Sequence, residues 1–250
     1  MKTKEGRVRP VIISILWSIF ILVFYTLGGI ITQVNQMNEV NTKIVNGVCI
    51  WGSVIVACCF IWKKKKFTEM GFRKIQTNAQ SNVMYYIPAI ILEATGFYVG
   101  LRELNVKYIL ALIILTIAVG FAEEIYFRSI ILDTLRVFGV KKAIIISSIL
   151  FGITHIGNVI GGADIVYTLI QIAFAFIFGI VFAELFIITK SLIPVIIWHA
   201  LHDFFCYIQK EPDMKTIVLF SGIQTLLLLF YAIYMWRKLD KIIESEHTVV

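Results

Sequence analysis

Ionisable side chains fall inside long apolar runs of this sequence, where a charge is expensive. Glu123 and Glu124 are adjacent, and Arg128 follows four residues later, within a run that begins near Tyr108. One ionised side chain in hydrocarbon costs ~2.5–3.5 kcal/mol on insertion scales, so it is a functional candidate by default. Glu124 and Arg128, at i,i+4, can pair on one helix face. Glu123 then points about 100° away, and we expect it to face the bundle interior as an unpaired carboxylate.

Three histidines and an aspartate lie in two later apolar runs. His155 closes one run, and the other holds His199, His202 and Asp203, with His199 and Asp203 on one helix face. At 1.5 Å per residue, Glu123, His155 and Asp203 each lie roughly 20 Å from the first basic residue at the same end of their helices. We therefore expect these side chains to converge around a water-filled cavity.

Such a cluster is compatible with several chemistries. A carboxylate in an apolar cavity can act as a general base towards water. Glu123, His155 and His199 could instead hold a catalytic zinc ion with an open position for water, although no HExxH helix is present. Buried carboxylates and histidines also form proton relays, but no inverted repeat or pair of broken helices indicates a transporter. A purely structural reading makes them ion pairs and hydrogen bonds between packed helices.

The composition predicts a membrane protein. Hydrophobic residues make up 59% of the 250 residues, and the mean hydropathy is +0.86. The net charge of +7 does not indicate nucleic-acid binding, because Lys and Arg flank apolar runs and do not gather on one solvated face. The cysteines lie within apolar runs, without metal-ligand spacing, so we interpret them as small apolar residues: Cys49, Cys58, Cys59 and Cys206.

Eight apolar runs predict an all-α polytopic bundle of about eight transmembrane helices in a single domain, residues 1–250. The runs are Val11–Ile31, Ile44–Trp62, Val83–Gly100, Tyr108–Leu132, Ala143–Ile156, Ile165–Ile188, Leu192–Ile208 and Thr216–Trp236. Most of the 23 Lys and Arg residues fall at the termini and in even-numbered loops, so both termini are predicted to be cytoplasmic. The first run is expected to be a retained span, in a prokaryotic plasma membrane.

Two further carboxylates lie in apolar runs. We expect Glu93 to have a packing or helper role. Glu184 lies within two turns of Lys190, so we expect it to extend to the membrane interface.

Three motifs in these runs resemble those of the CPBP family of intramembrane proteases, which includes CAAX prenyl endopeptidases and bacteriocin-processing or immunity proteins. They are Glu123-Glu-Ile-Tyr-Phe-Arg128, similar to EExxxR; Phe151-Gly-Ile-Thr-His155, similar to FxxxH; and His199-Ala-Leu-His-Asp203, similar to HxxxN/D. The resemblance places a protease-like core at about 108–208. It implies an endopeptidase acting on a membrane-associated peptide or protein, such as a bacteriocin leader, a pheromone precursor or a lipidated C-terminus.

The resemblance also implies roles for these residues. Glu123 and His155 would bind and deprotonate the attacking water, without a cofactor. His199 and Asp203 would stabilise the oxyanion, although CAAX endopeptidases have Asn at the latter position and an ionised Asp only accepts hydrogen bonds. Asp203 would then orient His199 or His202. The supporting residues are Glu124, Arg128, Phe151 and His202.

The main alternative is a non-catalytic membrane protein, either a bacteriocin immunity factor or a scaffold that sequesters a partner. It needs no proton transfer at Glu123, so Glu123→Gln would leave its phenotype intact.

Overall fold

The computed structural model describes residues 4–75 and 79–248, which form eight main helices. These are α1 (Lys4–Val34), α2 (Glu39–Lys63), α3 (Ala79–Gly96), α4 (Val106–Glu124), α5 (Val140–Thr154), α6 (Ile165–Thr189), α7 (Ile193–Ile208) and α8 (Met214–Thr248). Each helix coincides with one predicted apolar run, and the described residues contain no strand, so the all-α fold class is confirmed. A single isolated bridge joins Leu101 to Gln209.

Six helical segments of the described chain are long and apolar enough to cross a membrane. They are Val8–Val34, Glu39–Lys63, Val106–Phe138, Val140–Ile160, Ile165–Thr189 and Met214–Glu244. A bilayer core offers no hydrogen bonds to the backbone, so helices are the form that these apolar runs must take there. Helix α7 has 16 residues and is a shorter apolar helix. The count of eight spans and the cytoplasmic termini stay predictions, and Met1 to Thr3 lie outside the described residues.

Asn and Asp side chains define where several helices begin. Asn38, Asn105, Asp164 and Asp213 each accept a hydrogen bond from a backbone N–H three residues later, at 2.8–3.0 Å. This is the geometry of an N-cap, which satisfies one of the first N–H groups of a helix. Hydrogen bonds from Thr216 also hold the pKa of the exposed Asp213 carboxyl below its ordinary value.

Helix α4 continues into a π-helical segment, Ile125–Ile131, in which all seven residues are buried. The segment starts directly after the Glu-Glu pair, and one α-turn and one 3₁₀ turn carry the chain on to Phe138. Two hydrogen bonds link this segment to other elements: Ser147 donates to the Phe127 carbonyl at 2.7 Å, and Ser129 donates to the Met70 carbonyl at 2.8 Å. Wide π turns are frequent at functional sites. Here the turn fixes the orientation of Arg128 relative to Glu124.

Helix α4 is the centre of the bundle, packed extensively on α2 and α7, while α6 packs on α5 and α8. Glycines allow the closest approaches between these helices. A Cβ atom at Gly120 of α4 would lie 2.9 Å from the Ile196 carbonyl oxygen and 3.0 Å from the Ala200 nitrogen, both backbone atoms of α7. Small residues at such crossings are how membrane helices pack tightly. The contact lies one turn from Glu123 and Glu124, so it sets their distance from α7.

We expect Gly120→Ala to destabilise the protein by ~1–3 kcal/mol, because the backbones of α4 and α7 must separate to admit the methyl group. Thermal unfolding of the purified protein in detergent measures this. Gly222→Ala in α8 is the matched control, since a Cβ there meets nothing within 4 Å. It should leave the unfolding temperature unchanged or slightly higher. Equal effects of the two substitutions would contradict a tight α4–α7 contact.

Candidate active site

Glu124 and Arg128 form a buried ion pair at the start of the π-helical segment. Glu124 Oε2 lies 3.1 Å from Arg128 Nε, and the two side chains are 0% and 1% exposed. The predicted i,i+4 pair is thus confirmed. It is a charge contact and not a well-aligned hydrogen bond, since neither atom has a partner of good hydrogen-bond geometry within the described residues.

The Arg128 guanidinium is held by aromatic faces. Its Cζ lies 4.1 Å from the centroid of the Phe151 ring and 5.7 Å from that of Phe182. Cation–π contacts of this kind are worth ~2 kcal/mol or more when they are desolvated. The Phe of the second motif therefore supports the Arg of the first.

His199 joins the first motif to the third. Its Nδ1 lies 2.6 Å from Glu124 Oε1, and the ring is 5% exposed. A carboxylate only accepts, so Nδ1 carries the hydrogen. The ring also meets Phe178 at 5.5 Å and Phe151 at 6.1 Å in edge-to-face geometry. Glu124 thus holds Arg128 with one oxygen and orients His199 with the other, a direct contact to the histidine that the motif spacing did not indicate.

Glu123 faces the other side of His199. Its Oε2 lies 3.5 Å from His199 Nε2, and its side chain is 14% exposed. Its Oε1 accepts a hydrogen bond of 2.7 Å from the Tyr25 hydroxyl. The expectation that Glu123 is unpaired is therefore wrong, because α1 brings a donor to it. It remains the accessible carboxylate of the pair.

Asp203 completes the group around His199 Nε2. Its Oδ2 lies 3.9 Å from that nitrogen, and its side chain is 24% exposed. The predicted shared face of His199 and Asp203 is confirmed. Separations of 3.5 and 3.9 Å are longer than a direct hydrogen bond and admit a bridging water or substrate oxygen.

His155 stands at the end of α5, beside this group. Its ring lies 5.2 Å from that of Phe151, which in turn contacts His199, and it is an electrostatic neighbour of Asp203. Its Nδ1 lies 3.1 Å from the Phe151 carbonyl oxygen, an acceptor, so Nδ1 carries the hydrogen. Nε2 is then a lone-pair acceptor, the form that can orient a water or bind a metal.

His202 is held by a different carboxylate. Its Nδ1 lies 2.9 and 3.1 Å from the two oxygens of Glu93, and Trp198 donates to the same carboxylate at 3.0 Å. These contacts agree with the packing or helper role expected of Glu93. Asp203 is not needed to orient His202, because Glu93 does so.

Two residues could not be placed correctly from the sequence. Tyr25 carries no motif and lies 98 residues from Glu123 along the chain. The spacing of Glu184 from Lys190 predicted that its side chain extends to the membrane interface, and this prediction is wrong. Glu184 is 0% exposed, and neither oxygen has a hydrogen-bond partner within the described residues. Its neighbours in α6 are buried against α5 and α8, so the side chain has no route to the helix end.

The zinc alternative fits the geometry only in part. Two ligands of one tetrahedral zinc ion lie roughly 3.3 Å apart, and Glu123 Oε2 and His199 Nε2 lie 3.5 Å apart. The described residues, however, contain no group of three or more His, Cys, Asp or Glu side chains arranged to hold a metal ion. His155, the third expected ligand, is not close enough to the other two to complete such a metal-binding group.

Residues 105–205 match a family of proteins described as Rce1-like, type II CAAX prenyl endopeptidase. The matched region runs from the N-cap of α4 to the last turn of α7. It includes every residue of the three motifs, and it excludes Tyr25 and Glu93. A comparison with curated proteins finds no match for the chain. The match over residues 105–205 supports the assignment of the chain to the CPBP/CAAX family of intramembrane proteases.

Proposed function

We propose that this multi-pass membrane protein is an endopeptidase that hydrolyses a peptide bond of a membrane-associated or lipidated peptide or protein, with a water activated by Glu123. The observation that carries the proposal is the contrast between two neighbouring carboxylates. Glu124 is buried against Arg128 and His199, whereas Glu123 and Asp203 are partly exposed and both lie near His199 Nε2. The family match supports the same reaction class.

Glu123 acts as the general base. Its Oε2 takes a proton from a water placed near His199 Nε2, and the water oxygen attacks the carbonyl carbon of the scissile bond. The Nε2 lone pair of His155 accepts the second hydrogen of that water and orients it. Glu123 then passes its proton to the amide nitrogen as the C–N bond breaks, which yields a carboxylic acid and an amine.

His199 stabilises the oxyanion of the tetrahedral intermediate. A hydrogen on Nε2 suits its surroundings, because Glu123 and Asp203 both face this nitrogen as acceptors. With Nδ1–H held by Glu124, the ring is an oriented imidazolium that donates to the developing negative charge. Asp203 has no donor to offer when ionised, and its role is to stabilise this imidazolium.

Tyr25 holds Glu123 in position. Its hydrogen bond fixes Oε1 and leaves Oε2 for the water. We expect Tyr25→Phe to lower kcat about tenfold or more with little change in KM, since a hydrogen bond to a charged group is worth ~1.5–3 kcal/mol. Steady-state rates at several substrate concentrations separate the two constants. A purely structural role would lower the unfolding temperature and leave kcat of the folded fraction unchanged, which would contradict this positioning role.

The test of the function uses protein reconstituted in lipid bilayers. A peptide with a prenylated C-terminal CAAX sequence and its unprenylated counterpart are incubated with it, and the products are identified by mass spectrometry. Cleavage of the prenylated peptide supports a CAAX-type activity, and cleavage of both supports a broader membrane endopeptidase. If the folded protein cleaves neither peptide, the CAAX-type substrate class is wrong for this chain.

A chelator divides the metal-free mechanism from the zinc alternative. The proposed mechanism predicts rates that a zinc chelator leaves unchanged. If the chelator abolishes cleavage and added zinc restores it, Glu123 does not activate the water alone. The water would then be activated at a metal site that includes Glu123.

A further inference from the structure

A second group of reactive side chains lies beside the proposed active site, at the end of α7. The Sγ atom of Cys206 lies 3.8 Å from His202 Nε2, and His202 Nδ1 lies 2.9 Å from Glu93 Oε1. None of these three residues takes part in the water attack described above. Their order is that of a nucleophile, a base and a group that orients the base.

The hydrogens of this group can be assigned from the acceptors. The Glu93 carboxylate accepts from His202 Nδ1, so that nitrogen carries the hydrogen. His202 Nε2 then presents a lone pair to Cys206, and the thiol S–H is the donor in that contact. The imidazole is therefore in the tautomer that can take the proton of the thiol.

The base is held rigidly, and the thiol is accessible. Trp198 donates to Glu93 at 3.0 Å, and Phe174 stacks on the His202 ring at a centroid distance of 5.5 Å and an angle of 18°. The His202 and Glu93 side chains are only 13% and 12% exposed. Cys206 itself is exposed. The sulfur thus lies at the surface of the protein, whereas the pair that activates it is mostly buried.

We propose that Cys206 is a reactive thiol, activated by His202 and Glu93, and a site of covalent modification by low-molecular-weight disulfides. His202 Nε2 takes the thiol proton, and the thiolate attacks one sulfur of the disulfide. A Cys206–sulfur bond forms as the disulfide bond breaks, and the departing thiolate takes the proton from His202. The result is a mixed disulfide one turn from Asp203, and no other oxidant is needed.

Cys59 provides an internal reference within the same molecule. It is also exposed and lies four residues from the end of α2, as Cys206 lies two residues from the end of α7. The described residues place no histidine hydrogen bond on Cys59. An unassisted thiol is only a few per cent thiolate at pH 7, so a base that captures its proton raises the rate markedly.

The experiment treats the purified, folded protein with the neutral disulfide bis(2-hydroxyethyl) disulfide at pH 7 and follows both cysteines by mass spectrometry. We expect Cys206 to react at least about ten times faster than Cys59. His202→Phe, which keeps a ring against Phe174, should bring the two rates within about threefold of each other. Glu93→Gln should lower the Cys206 rate by a smaller factor.

Equal rates for the two cysteines in the wild-type protein would overturn the inference. A Cys206 rate that His202→Phe leaves unchanged, with the Cys59 rate also unchanged, would do the same. If His202→Phe alters the Cys59 rate, the substitution has changed the fold, and Glu93→Gln is used in its place. A slower reaction of Cys206 in Glu93→Gln supports its activation, and an unchanged Cys206 rate refutes it. The inference does not depend on peptide cleavage, so it stands or falls separately from the proposed function.

Discussion

Replacing Glu123 by Gln is expected to lower kcat about 1,000-fold, within the usual range for loss of a general base, while the protein stays folded. Glutamine has the shape of glutamate, and its amide oxygen can still accept the Tyr25 hydrogen bond. It cannot take a proton from water near neutral pH. Cleavage rates of wild-type and variant protein in matched bilayers measure the loss, with equal unfolding temperatures as the check on folding.

Glu184→Gln is the matched control for this substitution. Glu184 is also a carboxylate inside an apolar helix, and it is more deeply buried than Glu123, but neither of its oxygens has a hydrogen-bond partner within the described residues. Its replacement should leave kcat unchanged. A comparable loss of activity from both substitutions, or full activity of Glu123→Gln, would contradict the role of Glu123 as the base.

Replacing Arg128 by Met is expected to destabilise the protein by ~3–5 kcal/mol, because Glu124 would keep a buried charge without its partner. The cation–π contact with Phe151 would be lost as well. Thermal unfolding in detergent should show a large decrease in midpoint. Activity should fall too, since Glu124 also orients His199.

The double variant Glu124→Gln/Arg128→Met separates charge from packing. Glutamine carries no charge, and its oxygen still accepts from His199 Nδ1, so most of the lost stability should return. If the double variant is as unstable as Arg128→Met alone, the loss comes from packing and not from the uncompensated carboxylate. Retention of wild-type stability by the single variant would show that the ion pair contributes little.

The helices and the positions of the motif residues along them could be predicted because both depend on local sequence. A run of apolar residues in a membrane must be helical, and depth along each helix places Glu123 and Asp203 at one level. The predicted pairing of Glu124 with Arg128 follows from their spacing alone.

The remaining contacts of the site depend on how the helices pack against each other. The spacing of residues along a single sequence does not indicate this packing. Tyr25 reaches Glu123 because α1 packs beside α2 and the π-helical segment. Glu93 holds His202 through a contact between α3 and α7. Glu184 is buried because α6 is covered on both sides, although its distance from Lys190 along the helix is short. These contacts depend on tertiary packing. Local sequence patterns could not show whether Tyr25, Glu93 and Glu184 face the protein interior, solvent or lipid.

Cleavage of a peptide bond in the membrane, with Glu123 as the base, can be tested in cells. The most direct measurement compares peptide termini, by mass spectrometry, in membranes and medium of cells that make equal amounts of wild-type protein or Glu123→Gln. We predict new termini that appear only with the wild-type protein, and these termini would identify the substrate. Identical termini from the two cell types, with both proteins folded and the natural partner present, would contradict proteolysis and favour an immunity or scaffold protein.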